Sequence, residues 1–340
     1  MKLLTFAVPS YNSQDYLDRC VESLLVGGDD VEIIIVNDGS TDRTGEIADG
    51  YAAKYPDIVR VIHKENGGHG SGVNAGVHAA KGLFYKVVDS DDWLEREALL
   101  KLIEAIRSHV ESGNLPDMYI TNYVYEHSAD NTQYVMEYSK QMTNGFFGWD
   151  KMKNFYFSHV MLMHSFTYNT QKLREHYVDL PEHTFYVDNV FAYIPLAYME
   201  NPFYLDVDLY RYFIGRDGQS ININTAIKRY EQQIRVMLMM ATAHSYADIK
   251  SLPKGLRKYM FHDLHAIMMT TLTFCCGKVS KERKVAVKEM WRKIKEFDKK
   301  LYRKIRYGGY TFFAVILPWW LRSKALLWGY KVICRRIKLG

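Results

Sequence analysis

Residues 58–92, IVRVIHKENGGHGSGVNAGVHAAKGLFYKVVDSDD, decide the fold. A short run rich in Val and Ile (Ile58–Ile62) leads into a glycine-rich loop (Asn66–Gly76). A helical stretch follows (Gly72–Ala80), then a second apolar run (Phe84–Val88) that ends in acids. Upstream the same rhythm repeats. Leu3–Val8 and Val31–Val36 read as strands, and Asp15–Leu25 and Asp42–Lys54 read as helices. Successive strands start about 26–28 residues apart, the length of one βα unit. Alternating units of this kind predict an α/β fold, a mostly parallel Rossmann-like sheet flanked by helices.

Downstream, Leu94–Val110 reads as a helix and Tyr119–Tyr125 as a strand. Residues 144–229 mix aromatics with short helical patterns and one strand-like run, Phe203–Ile214. From Tyr230 to Ile305 the pattern is helical, with Val287, Trp291, Ile294, Phe297, Leu301 and Ile305 forming a stripe at three- and four-residue steps. The expected organisation is an α/β domain over 1–229, a helical region over 230–305 and a basic amphipathic tail over 306–340.

Composition narrows the class. With 48% hydrophobic and 24% charged residues, the 340-residue chain is neither disordered nor fibrous. Cys20, Cys275, Cys276 and Cys334 show no CxxC spacing, which points to a reduced, cytoplasmic protein. The opening MKLLTFAVPSYN turns polar too soon for a secretory leader. No apolar run reaches the ~20 residues that span a bilayer. The net charge of +5 hides a division: residues 250–340 hold 23 Lys+Arg against 5 Asp+Glu, while the first 249 hold 21 against 34. Such asymmetry points to an anionic partner for the C-terminal part.

In an open parallel sheet, ligands bind beyond the carboxyl ends of the strands. Those ends read Pro9-Ser10-Tyr11-Asn12, Asn37-Asp38-Gly39-Ser40-Thr41-Asp42, the Asn66–Gly76 loop, and Asp89-Ser90-Asp91-Asp92. Three acids in four residues suit a hard divalent cation such as Mg²⁺ or Mn²⁺. Acidic capping of the following helix is the other reading, and Asp92 is placed for it. Gly70-Ser71-Gly72-Val73-Asn74-Ala75 matches a dinucleotide pattern. It follows the third strand, however, where such motifs follow the first, and the next strand ends in the acidic cluster instead of the single acid such motifs carry about 20 residues on. Its glycines can still bring backbone close to a phosphate at a helix start, or simply make a permissive turn. Asp38 serves either turn chemistry or a hydrogen bond from a nucleobase or ribose.

With these residues in hand, the chain resembles the family-2 nucleotide-sugar glycosyltransferases of the GT-A fold, of the kind that build bacterial cell-surface polysaccharide. The carriers, in order, are Val8–Asn12, Ile35–Asp42, the Asn66–Gly76 loop and Asp89–Asp92. Val187-Asp188-Asn189-Val190-Phe191 is similar to the family's Glu-Asp-x-x-Phe acceptor motif, with Val187 in place of the glutamate. Tyr210–Ile221 (YRYFIGRDGQSI) is similar to its diphosphate-closing strand and loop. The resemblance implies that Pro9, Tyr11, Asp38, Gly68, Asn74, Asp89 and Arg216 bind a UDP-sugar donor. It also implies that Asp91 with Asp89 holds Mn²⁺ or Mg²⁺, and that Asp188 is the base of an inverting transfer to a lipid-linked or glycan hydroxyl. Residues 1–110 would then take the nucleotide sugar and 111–229 the acceptor. A non-catalytic nucleotide-sugar- or lipid-binding module on the same fold is the alternative. No Gln-x-x-Arg-Trp motif of processive polymerases is present; Gln232-Gln233-Ile234-Arg235-Val236 comes nearest.

His159, His164 and His183 lie in the acceptor region and read as structural or as contacts to a sugar hydroxyl, and His262 and His265 read as core or surface residues. The HDLH run at 262–265 lacks HExxH spacing. Tyr310–Leu321 (YTFFAVILPWWL) is broken by Pro318 and followed by alternating basic and apolar residues with Trp328 and Tyr330. That pattern predicts attachment to an anionic membrane surface at its inner face, with an aromatic core helix or a homo-oligomer contact as other uses. No nucleic-acid-binding motif accompanies the charge.

Overall fold

The computed structural model describes residues 2–127, 130–156, 159–215 and 223–336. Two compact units divide the chain: Met1–Met152 with Met161–Gly215, and Lys153–Val160 with Arg216–Gly340.

The first unit is built on the expected βα rhythm. Strands β1 (Leu4–Ser10), β2 (Val31–Asp38), β3 (Val59–Lys64) and β4 (Phe84–Val87) alternate with helices α1 (Leu17–Leu25), α2 (Thr44–Lys54) and α3 (His69–Ala79). They run parallel in the order β3-β2-β1-β4. Every residue of β1 and β2 is buried, as in strands covered on both faces. Helix α3 lies hard against β1. A Cβ on Gly72 would sit 2.9 Å from Pro9, and one on Gly76 would sit 2.4 Å from the Ala7 side chain, so only glycine permits that approach.

Beyond β4 the sheet becomes mixed: β9 (Phe166–Asn169) runs antiparallel to both β4 and β6 (Met118–His127). Strand β10 (Pro202–Ile214) pairs parallel with β6 and antiparallel with the short β5 (Trp93–Leu94) and β8 (Gly145–Phe146). Strand β7 (Thr132–Met136) pairs with β6. Helix α4 (Arg96–Ser112) starts later than its sequence suggests, because Trp93 and Leu94 are held in the sheet opposite Arg211 and Tyr210. Its cap is therefore Glu95, which accepts the Ala98 N–H at 2.7 Å, and not Asp92. Helices α5 (Thr170–His176) and α6 (Asp188–Leu196) complete the unit.

The second unit is helical: α7 (Ile223–Lys228), α8 (Tyr230–Ala243), α9 (Tyr246–Ser251), α10 (Lys254–Cys276), α11 (Lys281–Phe297), α12 (Lys299–Tyr307), α13 (Thr311–Ile316) and α14 (Trp319–Arg336). The apolar stripe read along 287–305 is split between two helices. Asp298 ends α11 and caps α12 by accepting the Lys300 and Leu301 N–H groups at 2.7 and 2.9 Å, which leaves Phe297 exposed. The apolar run at 310–321 is likewise broken between α13 and α14, where Arg322 donates to the Val315 and Leu317 carbonyls. Among the described residues, no helix is long and apolar enough to cross a membrane.

Candidate active site

Parallel pairing puts the ends of β1 to β4 on one edge, and the loops that leave them are stitched together. Ser13 N–H donates to Thr44 Oγ1 at 2.7 Å, Thr41 N–H donates to Asn12 Oδ1 at 2.9 Å, and the hydroxyls of Ser13 and Ser90 lie 2.7 Å apart. Three strand-end loops thus share one hydrogen-bonded rim. Tyr11 is exposed on it, while Pro9 is buried beneath Gly72.

Asp38, a nucleobase or ribose contact by resemblance, is bonded to the protein. Its carboxylate is 3% exposed. It accepts the N–H groups of Gly67 and Gly68 at 2.9 and 2.7 Å and the Lys64 ammonium at 2.8 Å. The bonds draw Gly68 into a left-handed turn (φ +81°) that launches α3. Asp38 therefore shapes the glycine loop. Asn74 is also spent internally: its amide bonds Tyr177 Oη and both the N–H and the carbonyl of Leu180 at 2.6–2.9 Å. That fastens α3 to the segment leading toward Asp188.

At the first position of α3 stands His69, which sequence reading passed over inside the glycine loop. Its Nε2 lies 2.7 Å from Asp89 Oδ1. Burial works against a charge on the ring. The Asp89 hydrogen bond and the nearby Asp188 and Asp91 carboxylates outweigh it and hold the histidine pKa above its ordinary value. One imidazole is thus bonded to Asp89 and feels the charges of Asp188 and Asp91.

Asp188 opens α6, after a turn in which His183 and Tyr186 take positive φ, a conformation that is uncommon for side chains of this bulk. Burial is the main force on its carboxyl. With Asp89 adding to it and His69 opposing, the pKa rises to about 6.

The acidic run is held from beneath. Tyr210 of β10 donates to Asp92 Oδ2 at 2.6 Å and accepts the Asp89 N–H at 3.1 Å, while the Phe213 N–H reaches Asp92 Oδ1 at 2.8 Å. Arg19 lies over the Trp93 ring and donates to the Asp91 carbonyl at 2.8 Å. Burial, with Asp91 and Asp89 adding like charge, pushes the Asp92 carboxyl well above the usual range.

Asp89, Asp92 and His164 each offer one ligand atom, and these atoms all lie within 4.8 Å of one another. His164 is buried with its Nδ1 unpartnered, and burial lowers its pKa to about 4, so the ring is neutral and able to ligate. The chain bearing it is pinned by the fully buried Lys86, whose ammonium donates to the His164 and Phe166 carbonyls at 2.6 and 3.2 Å. Two crowded carboxylates and an imidazole with a free nitrogen fit a divalent cation of the Mn²⁺ or Mg²⁺ kind. The cluster shares Asp89 with the pair expected from sequence and has Asp92 and His164 where that pair has Asp91. Arg216 lies outside the described residues.

Comparison with known proteins bears on the family and the fold. Residues 5–171 match the family model described as Glycosyl transferase family 2. EpsJ of Bacillus subtilis, described as an uncharacterized glycosyltransferase, is 40% identical over 134 residues; the match covers 39% of this chain and 37% of that protein. The region shared with this relative is thus well under half of either chain. Among solved structures, S. aureus TarS 1–349 in complex with UDP-GlcNAc superposes with a TM-score of 0.63 at 18% identity, covering 97% of this chain and 92% of that one. The mannosyltransferase PcManGT from Pyrobaculum calidifontis, in complex with GDP-Man and Mn²⁺, gives 0.51 at 14% identity, covering 96% and 87%. The fold is that of GT-A glycosyltransferases.

Proposed function

We infer, from the premise that residues 5–171 belong to glycosyl transferase family 2, that the protein moves a sugar from a UDP-sugar donor to a hydroxyl of a glycan or lipid-linked acceptor. The observation that carries this reading is the bond between His69 and Asp89 at the carboxyl edge of the parallel strands, with Asp91 and Asp188 acting on the same ring electrostatically. TarS in complex with UDP-GlcNAc supports a uridine donor.

Asp188 is the base: its carboxylate takes the proton from the acceptor hydroxyl as that oxygen attacks the anomeric carbon. A pKa of about 6 leaves it mostly ionised at neutral pH yet basic enough to accept a proton. One base and one displacement invert the anomeric configuration, in contrast to the paired carboxylates of glycosidases. His69 holds Asp89 and keeps Asp188 ionised. Asp38 keeps the glycine loop open toward the donor. Asp89, with Asp92 and His164 beneath and Asp91 on the rim, would hold the divalent cation. When bound, the cation supplies positive charge that stabilises the departing diphosphate. PcManGT in complex with Mn²⁺ supports that assignment.

The product is a cell-surface polysaccharide or glycolipid, and the enzyme works at the inner face of the membrane, to which its basic C-terminal helices attach it. A thermal-shift screen of UDP- and GDP-sugars with Mn²⁺ tests the donor. A UDP-sugar should raise the melting temperature according to RT ln(1 + [L]/Kd). Stabilisation by GDP-sugars alone would overturn the uridine assignment.

A further inference from the structure

Helices α12 to α14 carry a surface that the transfer reaction does not use. Lys300, Arg303 and Lys304 share one face of α12, opposite the buried Leu301 and Ile305. With Tyr246, Tyr307 and Gly308 they line an open cavity of about 550 Å³ that has no acidic residue in its wall. Among the described residues, none of these three cations is in an ion pair. Of the neighbouring acids, Glu289 and Glu296 are held by Arg292, and Asp298, the cap of α12, lies close enough to Lys300 to feel its charge. Residues 299–340 contain 11 Lys or Arg and no Asp or Glu.

The chain passes from this cavity through Gly308 and Gly309 directly into an exposed apolar edge. Phe313 is 66% exposed and Ile316 57%, three residues apart on α13. On α14, Trp320 (63%) and Trp328 (71%) are exposed eight residues apart, with the exposed Lys324 midway, so Trp, Lys and Trp follow one another along one face. Isolated exposed hydrophobics are ordinary, but a run of this size beside a cationic cavity marks an interaction surface.

We propose that α12–α14 form a docking surface for an anionic lipid bilayer, with Lys300, Arg303 and Lys304 seating a lipid phosphate while Phe313, Ile316 and Trp320 enter the headgroup–acyl boundary. Charge complementarity selects the occupant, because a wholly cationic segment fits a phosphate-bearing surface. The apolar edge selects lipid over nucleic acid: Ile316 and Val332 have no ring on which a base could stack, whereas both partition into acyl chains. The inference rests on the membrane reading above and adds the residues that make the contact.

The test is flotation of the full chain with phosphatidylcholine vesicles, with and without phosphatidylglycerol. The wild type should float with the anionic vesicles and far less with the neutral ones, and its tryptophan emission should shift to the blue. The K300E/R303E/K304E variant should lose at least about tenfold in partitioning to anionic vesicles. The F313S/I316S/W320S variant should lose both flotation and the blue shift. Circular dichroism melts matching the wild type keep either loss interpretable. If the charge-reversed variant floats as well as the wild type, the phosphate seat is wrong while membrane attachment stands. If the wild type ignores both vesicles, or binds a duplex oligonucleotide in their place, seat and attachment both fall. Neither result touches the transfer chemistry, since vesicle binding needs no donor.

Discussion

His69 Nε2 lies 2.7 Å from Asp89 Oδ1, joining the glycine-loop helix to the acidic strand end across 20 residues of sequence. The same ring lowers the pKa of Asp188. Replacing it with alanine should therefore raise the Asp188 pKa above about 6 and move the acidic limb of the kcat–pH profile upward. A limb that stays in place, or moves to lower pH, would show that the imidazole does not act on the base.

Burying ionised Asp188 costs stability, because its folded pKa of about 6 exceeds the value near 4 of an unfolded aspartate. The cost is complete above pH 6 and disappears once the pH falls below the unfolded value. Asp188→Asn, which imitates the neutral acid, should be more stable than the wild type by about 1–3 kcal/mol at pH 8 and equal to it near pH 4. Denaturant melts at the two pH values measure the difference.

Asp38 bonds the glycine loop, and replacing it separates that role from donor binding. Asp38→Ala leaves the Gly67 and Gly68 N–H groups and the Lys64 ammonium without their acceptor, a loss of about 2–4 kcal/mol. Hydrogen exchange should speed up at residues 66–70 before it changes elsewhere. Unchanged exchange there, with nucleotide affinity lost, would return Asp38 to direct donor binding.

Asp89→Asn and His164→Gln should each weaken Mn²⁺ binding at least tenfold in titrations with UDP present, with melting temperatures near the wild type. Asp91→Ala separates the two ligand sets. A loss as large as that of Asp89→Asn makes Asp91 a ligand, and a small loss leaves the cation with Asp89, Asp92 and His164.

The parallel half of the sheet was legible because its evidence is local. Buried runs such as Val31–Val36, punctuated by Gly and Asp, announce strands and their carboxyl ends without knowledge of the rest of the chain. The insertion of β9 between β4 and β6 was not legible, since nothing within Phe166–Asn169 specifies partners some 80 and 50 residues away. The same limit hid His69 and His164. A histidine at a helix start or before a short strand carries no signal until folding sets a carboxylate or a second ligand opposite it. Asp38 and Asn74 read as site residues, and the backbone bonds they make across about 30 and 100 residues carry no signal in the sequence. Asp92 looked like a helix cap because only the pairing of Trp93 and Leu94 with β10 moves the helix start to Glu95.

The central claim is that Asp188 removes the acceptor's proton, and it is tested most directly by measuring donor affinity and turnover on Asp188→Asn. Calorimetry should give a Kd for the UDP-sugar within about twofold of the wild type, while kcat for sugar transfer falls about 10²–10⁴-fold. A variant that binds the donor and transfers at the wild-type rate would contradict the account.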